Sequence, residues 1–254
     1  MPRPGFAFAT LVVGVALGVA ASPPSLADSL VAPLQAQASG GQPGSGNEIE
    51  YVVGAGAMVG FQSIDIRLTA PHDPVANVSK QHPTVFEPFG EVGLGIPLDW
   101  LGISGTGMDL YVGARFGGTL NSSTTSTDQL RDFEFTTSQG FFINPNVQLQ
   151  VPVVTPLGPM DVFGEAGALL RRASIRVDSM GSGSVFDARG WILSPELGIG
   201  AKVPFYYGLD LVPEVIVDLG TSITGGGNLG STPLSGKVTT GPDVHLSLGL
   251  QKRF

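Results

Sequence analysis

Apolar and polar side chains alternate with a period of two along most of this chain, and no other pattern in the sequence restricts the possible folds as strongly. Around residues 107–120, Leu110 and Val112 fall on one face of an extended strand, whereas Asp109 and Arg115 fall on the other. Successive side chains of a strand point to opposite faces, so the pattern predicts a β-sheet whose two faces meet different surroundings.

Eight segments show this alternation, and their connections are of two kinds. The segments lie near residues 49–66, 84–98, 107–120, 133–153, 159–175, 190–204, 208–221 and 243–254. Long polar stretches follow the odd-numbered segments, and shorter connections follow the even-numbered ones. Long external loops and short periplasmic turns are typical of membrane barrels. The sequence therefore predicts an all-β, eight-stranded antiparallel up-and-down transmembrane β-barrel.

The scarcity of charged residues indicates that the apolar face meets lipid. Only 13% of the 254 residues are Asp, Glu, Lys or Arg, against about 25% in soluble domains. These are too few to cover the outside of a soluble sheet of this size. We therefore expect lipid outside and a polar lumen inside, in a sheet that closes because backbone groups in hydrocarbon must all be paired.

The first 48 residues differ from the rest in composition. Residues 1–27 combine Arg3, an apolar run and a small-residue pattern ending at Ala27, which is the layout of a signal peptide. Residues 28–48 are small and polar, which predicts a flexible periplasmic linker. We expect an exported protein, cleaved near Ala27, whose barrel spans 49–254 in the cell outer membrane.

Charge and cysteine content argue against several functions. The net charge of −8 offers no cationic footprint for nucleic acid, so no such partner is expected. The chain has no cysteine and therefore no disulfide or thiolate chemistry. Without a recognisable nucleotide-binding or hydrolase motif, we expect neither enzymatic activity nor a cofactor.

Prolines and aromatic residues add two expectations. Pro88, Pro145, Pro195 and Pro213 fall within predicted strands, where each removes a ladder donor, so we expect bulges or strand ends there. Aromatic residues are expected to form a girdle at each membrane surface. The periplasmic girdle would contain Tyr51, Trp100, Phe205, Tyr206, Tyr207 and Phe254, and the outer one Phe61, Phe86, Phe116 and Phe141.

The end of the chain carries a family resemblance. An aromatic residue, Phe254, follows apolar residues at alternate positions, Leu246, Leu248 and Leu250. This ending resembles the last strand of bacterial outer-membrane barrels, and residues 49–254 are similar to small OmpA-like and opacity-type barrel domains. The resemblance implies that these four residues form the signal read by the barrel-assembly machinery. Lys252 departs from it, because an apolar residue is usual there.

The inward face of the predicted barrel carries more acids than bases. We expect a central polar network of Glu91, Arg115, Glu165, Glu196, Lys202 and Glu214. An eight-stranded barrel is just wide enough for side chains to fill. Ion pairs therefore favour a plugged lumen and a structural or surface-interaction role through long extracellular loops. The alternative is a narrow, cation-preferring pore, because unpaired carboxylates attract cations.

Other functions have weaker support. A soluble calycin-like carrier would need Val53, Leu110 and Leu248 inside. His245 and Ser247 resemble the His-x-Ser pair of outer-membrane lipid A deacylases, but the Glu that this family needs does not follow. His72 and His82 lie in a loop without fixed geometry, so we expect no metal site there. We expect a monomer in outer-membrane lipid, with any ligand specificity in the loops.

Overall fold

The computed structural model describes residues 48–70, 73–120, 123–127, 133–156, 158–179, 183–229 and 231–254. The predicted signal peptide and all but the last residue of the predicted linker lie outside the described residues. The described elements are β1 (Glu50–Phe61), β2 (Ile64–Ala70), β3 (Asp73–Gln81), β4 (Thr84–Pro97), the 3₁₀ helix η1 (Leu98–Leu101), β5 (Asp109–Gly118), β6 (Ser123–Thr127), β7 (Phe133–Thr155), β8 (Gly158–Ser179), β9 (Gly183–Pro204), β10 (Leu209–Asp218), β11 (Thr221–Leu229), β12 (Thr232–Thr240) and β13 (Asp243–Arg253).

Eight of these strands close into a ring. Its order is β1, β4, β5, β7, β8, β9, β10 and β13, and β13 pairs back with β1. The closing seam is antiparallel and keeps one register from Val52↔Arg253 to Phe61↔Val244. The structure confirms the predicted eight-stranded antiparallel barrel. No helix in the described part of the chain is long and apolar enough to cross a membrane.

The wall of the ring is apolar outside and polar inside. Val53 and Leu248 are 51% and 55% exposed on the outer face, and Leu110 is partly exposed there. In contrast, Arg115 and Lys202 are each 1% exposed inside the ring. A soluble carrier would need the reverse arrangement. The burial pattern therefore confirms the predicted orientation of the two faces.

The outer apolar band has the height of a membrane. On β9, outward side chains run from Leu193 to Val203, about 33 Å along the strand and about 25 Å along the barrel axis at a tilt of ~40°. Exposed aromatic residues lie at both ends of the band. Those at the short-turn end are Tyr51, Trp100, Phe205, Tyr206, Tyr207 and Phe254. Those at the other end are Phe86, Phe116, Phe141 and Trp191, with Phe61 partly exposed.

Beyond the band, the predicted external loops are largely β-strands, which corrects the expectation of irregular polar stretches. After short breaks, β2 and β3 continue β1 and β4, and β11 and β12 continue β10 and β13. β12 pairs with β11 and β2, and β6 pairs with β7. We call this part of the wall the β-extension: β2, β3, β6, β11, β12 and the adjoining ends of β7, β8 and β9. The barrel wall therefore continues beyond the membrane.

The β-extension reverses the polarity of the membrane ring. Ile66 points inward and is fully buried, whereas its neighbour Arg67 is exposed. The inward apolar core consists of Ile64, Ile66, Leu68, Phe135, Ile175, Val177, Phe186 and Val238. Water surrounds this part of the chain, so burying apolar groups inside is favourable, whereas in the membrane ring lipid takes them up outside. The predicted loops form strands because alternation places their apolar side chains on one face, where they pack into this core.

The four prolines lie within continuous strands, so the expectation of bulges or strand ends was wrong. The ladders keep their registers around Pro88, Pro145, Pro195 and Pro213. The register shifts in the described ladders lie elsewhere, at Leu68/Ala70 and Val177/Asp178. Each proline ring faces outward and takes no room in the lumen, and the residue pairs on either side hold the register.

Glycines of neighbouring strands lie against three of these prolines. A Cβ atom on Gly117 would lie 2.2 Å from the carbonyl oxygen of Pro88, and one on Gly200 would lie 2.7 Å from that of Pro213. The corresponding distance from Gly167 to the carbonyl oxygen of Pro145 is 3.0 Å. Only glycine fits such an approach of two backbones without a shift.

Replacing Gly117 with alanine is expected to lower the free energy of unfolding by about 1–3 kcal/mol, because the new methyl group overlaps backbone rather than a flexible side chain. Urea-induced unfolding in lipid vesicles measures this change. The matched control is Gly118→Ala on the same strand, where nothing lies within 4 Å of the added atom. Equal stabilities of the two variants would show that the close approach to Pro88 is unimportant.

Candidate functional site

The registers of adjacent strands bring charged side chains together at two levels of the lumen. Glu91 on β4 lies directly opposite Arg115 on β5. Further from the short turns, Glu196 on β9 lies opposite Asp218 on β10. Directly opposed residues on one face have Cβ atoms about 4.5–5.5 Å apart. The strand pairing therefore creates both groups of contacts.

The first group, which we call the Arg115 cluster, joins one guanidinium to three carboxylates. Arg115 donates two hydrogen bonds to Glu165, at 2.9 and 2.7 Å. Its Nη2 lies 2.8 Å from Glu214 Oε2, and its Nε lies 3.8 Å from Glu91 Oε2. All four side chains are buried. Arg115 thus connects β5 with β4, β8 and β10 across the lumen.

Neutral side chains add hydrogen bonds to two of these carboxylates. Tyr111 Oη donates to Glu91 at 2.8 Å, and Gln251 Nε2 donates to the second oxygen of Glu91 at 2.7 Å. Gln148 Nε2 donates to Glu165 at 2.8 Å. Buried charges are tolerated when they are paired and hydrogen-bonded in this way. The Arg115 cluster is therefore a cross-linked plug.

Tyr111 and Lys202 fill the lumen on the short-turn side of the plug. Cβ atoms added to Gly93 and Gly113 would lie 2.4 and 2.2 Å from the Tyr111 side chain, so the phenol ring covers two glycines. Lys202 Nζ lies 4.6 Å from the centre of this ring, within the distance of a cation–π interaction. The bulky side chains use the space that the glycines leave free.

At the second level, Glu87 receives contacts from three sides. Arg171 Nη2 lies 2.9 Å from Glu87 Oε1, and the Thr119 hydroxyl donates to the same oxygen at 2.8 Å. His245 Nδ1 lies 3.3 Å from Glu87 Oε2. Neither nitrogen of the His245 ring has a hydrogen-bond partner in the described structure. His245 is thus buried with Nε2 unpartnered, while Nδ1 has the 3.3 Å contact with Glu87 without hydrogen-bond geometry.

Beside Glu87, three side chains converge that we call the Glu196 cluster: Glu196, Asp218 and His245. One ligand atom of each lies within 4.8 Å of those of the other two. Ser194 donates to Asp218 at 2.9 Å, and Asn144 donates a hydrogen bond to Glu196. The three residues belong to β9, β10 and β13, which are neighbours in the ring. Two carboxylates and an imidazole in this arrangement can hold a cation.

A small cavity separates the Glu196 cluster from the core of the β-extension. Its volume is about 30 Å³, and its polar lining includes Arg171, Asp218 and Asp243. Such a volume has room for about two water molecules. Ser63 N–H donates to Asp243 at 2.7 Å. The apolar lining includes Ile64, Leu169, Ile175, Ile192 and Val238.

The structure places all six predicted network residues inside the barrel, but not in one cluster. Glu91, Arg115, Glu165 and Glu214 form the Arg115 cluster, whereas Lys202 lies below it and Glu196 lies above it. Four further inward residues contribute to these contacts without belonging to the predicted network: Tyr111, Gln148, Asp243 and Gln251. Asp243 has the same inward parity as His245, and this was the available signal. The four C-terminal residues proposed as an assembly signal face outward on β13 or at its end.

His245 and Ser247 both lie inside the barrel and are buried, so the pair faces away from lipid. His82 is exposed. His72 lies outside the described residues. Neither histidine-based alternative therefore gains a site from the described geometry.

The fold is similar to solved outer-membrane barrels. Neisserial surface protein A is 14% identical, with a TM-score of 0.32 over 82% of this chain and 100% of that chain. The outer membrane protein AlkL, solved in lipid bilayers, is 15% identical, with a TM-score of 0.41 over 84% and 94%. The attachment invasion locus protein Ail of Yersinia pestis is 12% identical, with a TM-score of 0.35 over 80% and 99%. At these identities the likeness concerns the fold alone.

No family model matches this chain, and no curated protein matches it. The features of the chain that bear on its function are the filled lumen, the apolar core of the β-extension and the acidic side chains between them.

Proposed function

We propose that this chain is an outer-membrane barrel with a surface-interaction role, exerted through the outer face of the β-extension. The observation that carries the proposal is that the lumen is filled while the β-extension has its own apolar core. The Arg115 cluster and Tyr111 occupy the cross-section of the membrane ring. A wall with a packed core presents its outer side chains in a defined arrangement, as binding scaffolds do.

The outer face of the β-extension is polar, and its charges are largely paired. Arg67 lies 3.2 Å from Asp65, and Arg189 lies 2.8 Å from Asp187. Arg176 donates hydrogen bonds to Asp178, which raise the pKa of its guanidinium above an already high ordinary value. Rows of hydrogen-bonding groups with little net charge suit polar extracellular partners better than strongly charged ones.

The proposal includes the expected cellular partners of the barrel. Outer-membrane lipid would contact the apolar band, and the barrel-assembly machinery would read Leu246, Leu248, Leu250 and Phe254. The band is apolar on β1, β5, β9 and β13 alike, so lipid can cover it all the way round. We therefore propose that the barrel is a monomer.

The test compares cells that produce the wild-type barrel with cells that produce a surface variant. Arg67→Ala, Arg176→Ala and Arg189→Ala together remove exposed charges from the outer face while leaving the core intact. We expect wild-type cells to be retained on an array of extracellular glycans and proteins. Retention of cells with the triple variant should be about tenfold lower, as when several interface contacts are truncated. The control is Lys252→Ala at the short-turn end. Retention no greater than that of cells without the barrel would contradict the proposal.

A narrow cation pore is the second candidate, supported by the excess of buried carboxylates over buried cations. Planar-bilayer recordings separate the two functions. Under the surface-interaction proposal, the wild-type barrel shows no discrete conductance steps, because the Arg115 cluster blocks the lumen. Cation-selective steps that become smaller in Glu91→Gln would instead favour the pore.

A further inference from the structure

The buried charges of the lumen do not balance. Among the described residues, seven carboxylates are buried against three cationic side chains, and His245 and Tyr111 are buried with them. The carboxylates belong to Glu87, Glu91, Glu165, Glu196, Glu214, Asp218 and Asp243, and the cations to Arg115, Arg171 and Lys202. Uncompensated carboxylates are costly in a low-dielectric interior. Positive charge from another source would stabilise this lumen.

The imbalance is concentrated at the level of the Glu196 cluster. Near the short turns, three carboxylates share Arg115 and the nearby Lys202. At the second level, four carboxylates share only Arg171, which lies against Glu87. Glu196, Asp218 and Asp243 are thus left without a permanently charged partner within ion-pair distance in the described structure. The need for a cation is greatest where Glu196 and Asp218 face each other.

His245 supplies the observation that distinguishes this cluster from a simple group of acids. Its side chain is 1% exposed, Nε2 has no hydrogen-bond partner in the described structure, and Nδ1 has the 3.3 Å contact with Glu87, which lacks hydrogen-bond geometry. A buried polar group without a partner is rare and destabilising. A ligand atom of this ring lies within 4.8 Å of carboxylate oxygens of both acids. A cation bound between them would satisfy the imidazole and both carboxylates at once.

We propose that Glu196, Asp218 and His245 bind a divalent transition-metal cation of the zinc class. A nitrogen ligand beside two carboxylates suits zinc and its neighbours, whereas Mg²⁺ and Ca²⁺ prefer oxygen ligands alone. This proposal does not depend on the proposed surface interaction. The cation would offset charge at the top of the lumen and would join β9, β10 and β13.

The surroundings of the cluster match those of metal sites. Ser194 and Asn144 hold the two carboxylates by hydrogen bonds, and Glu87 Oε2 lies 3.3 Å from His245 Nδ1. Carboxylates and hydroxyls commonly orient metal ligands in this way. The adjoining cavity of about 30 Å³ has room for a water molecule as a further ligand.

The test uses the full chain purified without an affinity tag, stripped with EDTA and titrated with Zn²⁺ or Co²⁺. We expect about one equivalent of metal to bind and the urea midpoint of unfolding to rise. Bound Co²⁺ should show the visible absorption of a four- or five-coordinate site. His245→Gln and Asp218→Asn are each expected to weaken binding more than 100-fold, since changes to outer-shell partners alone cost about 10–100-fold. The matched control replaces the other two histidines, His72→Gln and His82→Gln, and should bind like the wild type.

Each outcome of this test supports or overturns the metal site. Migration of unboiled samples on a denaturing gel shows which variants are folded, and Glu196→Gln provides a third variant if His245→Gln does not fold. Loss of binding in the folded cluster variants, with retention in the histidine control, supports the site. No binding by the folded wild type, binding unchanged in the cluster variants, or equal competition by Mg²⁺ would overturn it.

Discussion

Replacing Arg115 with methionine is expected to destabilise the barrel by about 3–5 kcal/mol, the range seen when one partner of a buried ion pair is removed. Methionine keeps much of the volume but leaves Glu165 and Glu214 without the guanidinium that lies 2.7–2.9 Å from them. Unfolding by urea in lipid vesicles, followed by the fluorescence of Trp100 and Trp191, measures the loss. This variant tests whether the Arg115 cluster holds the membrane ring together.

Two further variants make the Arg115 experiment specific. Arg176→Met removes an ion pair of similar length that solvent reaches, so we expect a much smaller loss of stability than for Arg115→Met. Adding Glu165→Gln and Glu214→Gln to Arg115→Met removes the stranded charges and should restore part of the stability. If Arg115→Met and Arg176→Met have the same effect, the plug contributes little to stability.

Replacing Phe186 with alanine is expected to loosen the β-extension without unfolding the membrane ring. Phe186 is 2% exposed in the apolar core. Cβ atoms added to Gly225 and Gly236 would lie only 2.9 and 2.6 Å from its ring, so the ring packs closely against both glycines. Truncating a buried phenylalanine typically costs about 3–5 kcal/mol. Proteolysis of intact cells should therefore cut the β-extension of the variant, while its membrane ring still migrates as a folded barrel on an unboiled gel.

The matched control for Phe186 is Phe141→Ala on β7. Phe141 is 48% exposed on the outer face near the end of the apolar band, so its loss should leave the β-extension resistant to protease. If Phe186→Ala also abolished the folded form of the membrane ring, the two parts of the wall would share one unfolding transition. If it changed neither, the core would not be what holds the β-extension in shape.

The sequence was sufficient to predict the membrane ring because lipid and lumen impose opposite requirements on alternate residues. Val53 and Leu248 could be placed outside and Arg115 inside without knowing any contact, since a one-residue slip would reverse every side chain. His245 follows the same rule and is buried inside the barrel. The predicted bulges or strand ends at the prolines were wrong. A proline lacks one backbone N–H donor, but glycines on the neighbouring strands accommodate Pro88 and Pro213 within continuous ladders.

The β-extension could have been recognised from a change of phase. From Gly54 to Gly60, the even-numbered positions of β1 carry glycine or Met58 on the inside, and the same parity in β2 carries Ile64, Ile66 and Leu68. Apolar residues thus move from the outer to the inner face where lipid gives way to water. A single alternation rule applied from 49 to 66 could not show this change, because it assumed one environment for the whole segment.

Alternation along the chain was enough to predict a closed barrel with an apolar outside, a polar inside and an excess of inward acids. Which of those acids meet became visible only in the folded barrel. Glu91 and Glu214 join Arg115, whereas Glu196 joins Asp218 and His245. Alternation specifies the face of each residue but not its height in the barrel. Height depends on the stagger between strands, which the pairing of the whole ring sets, and so the clusters exist only once β13 has closed on β1.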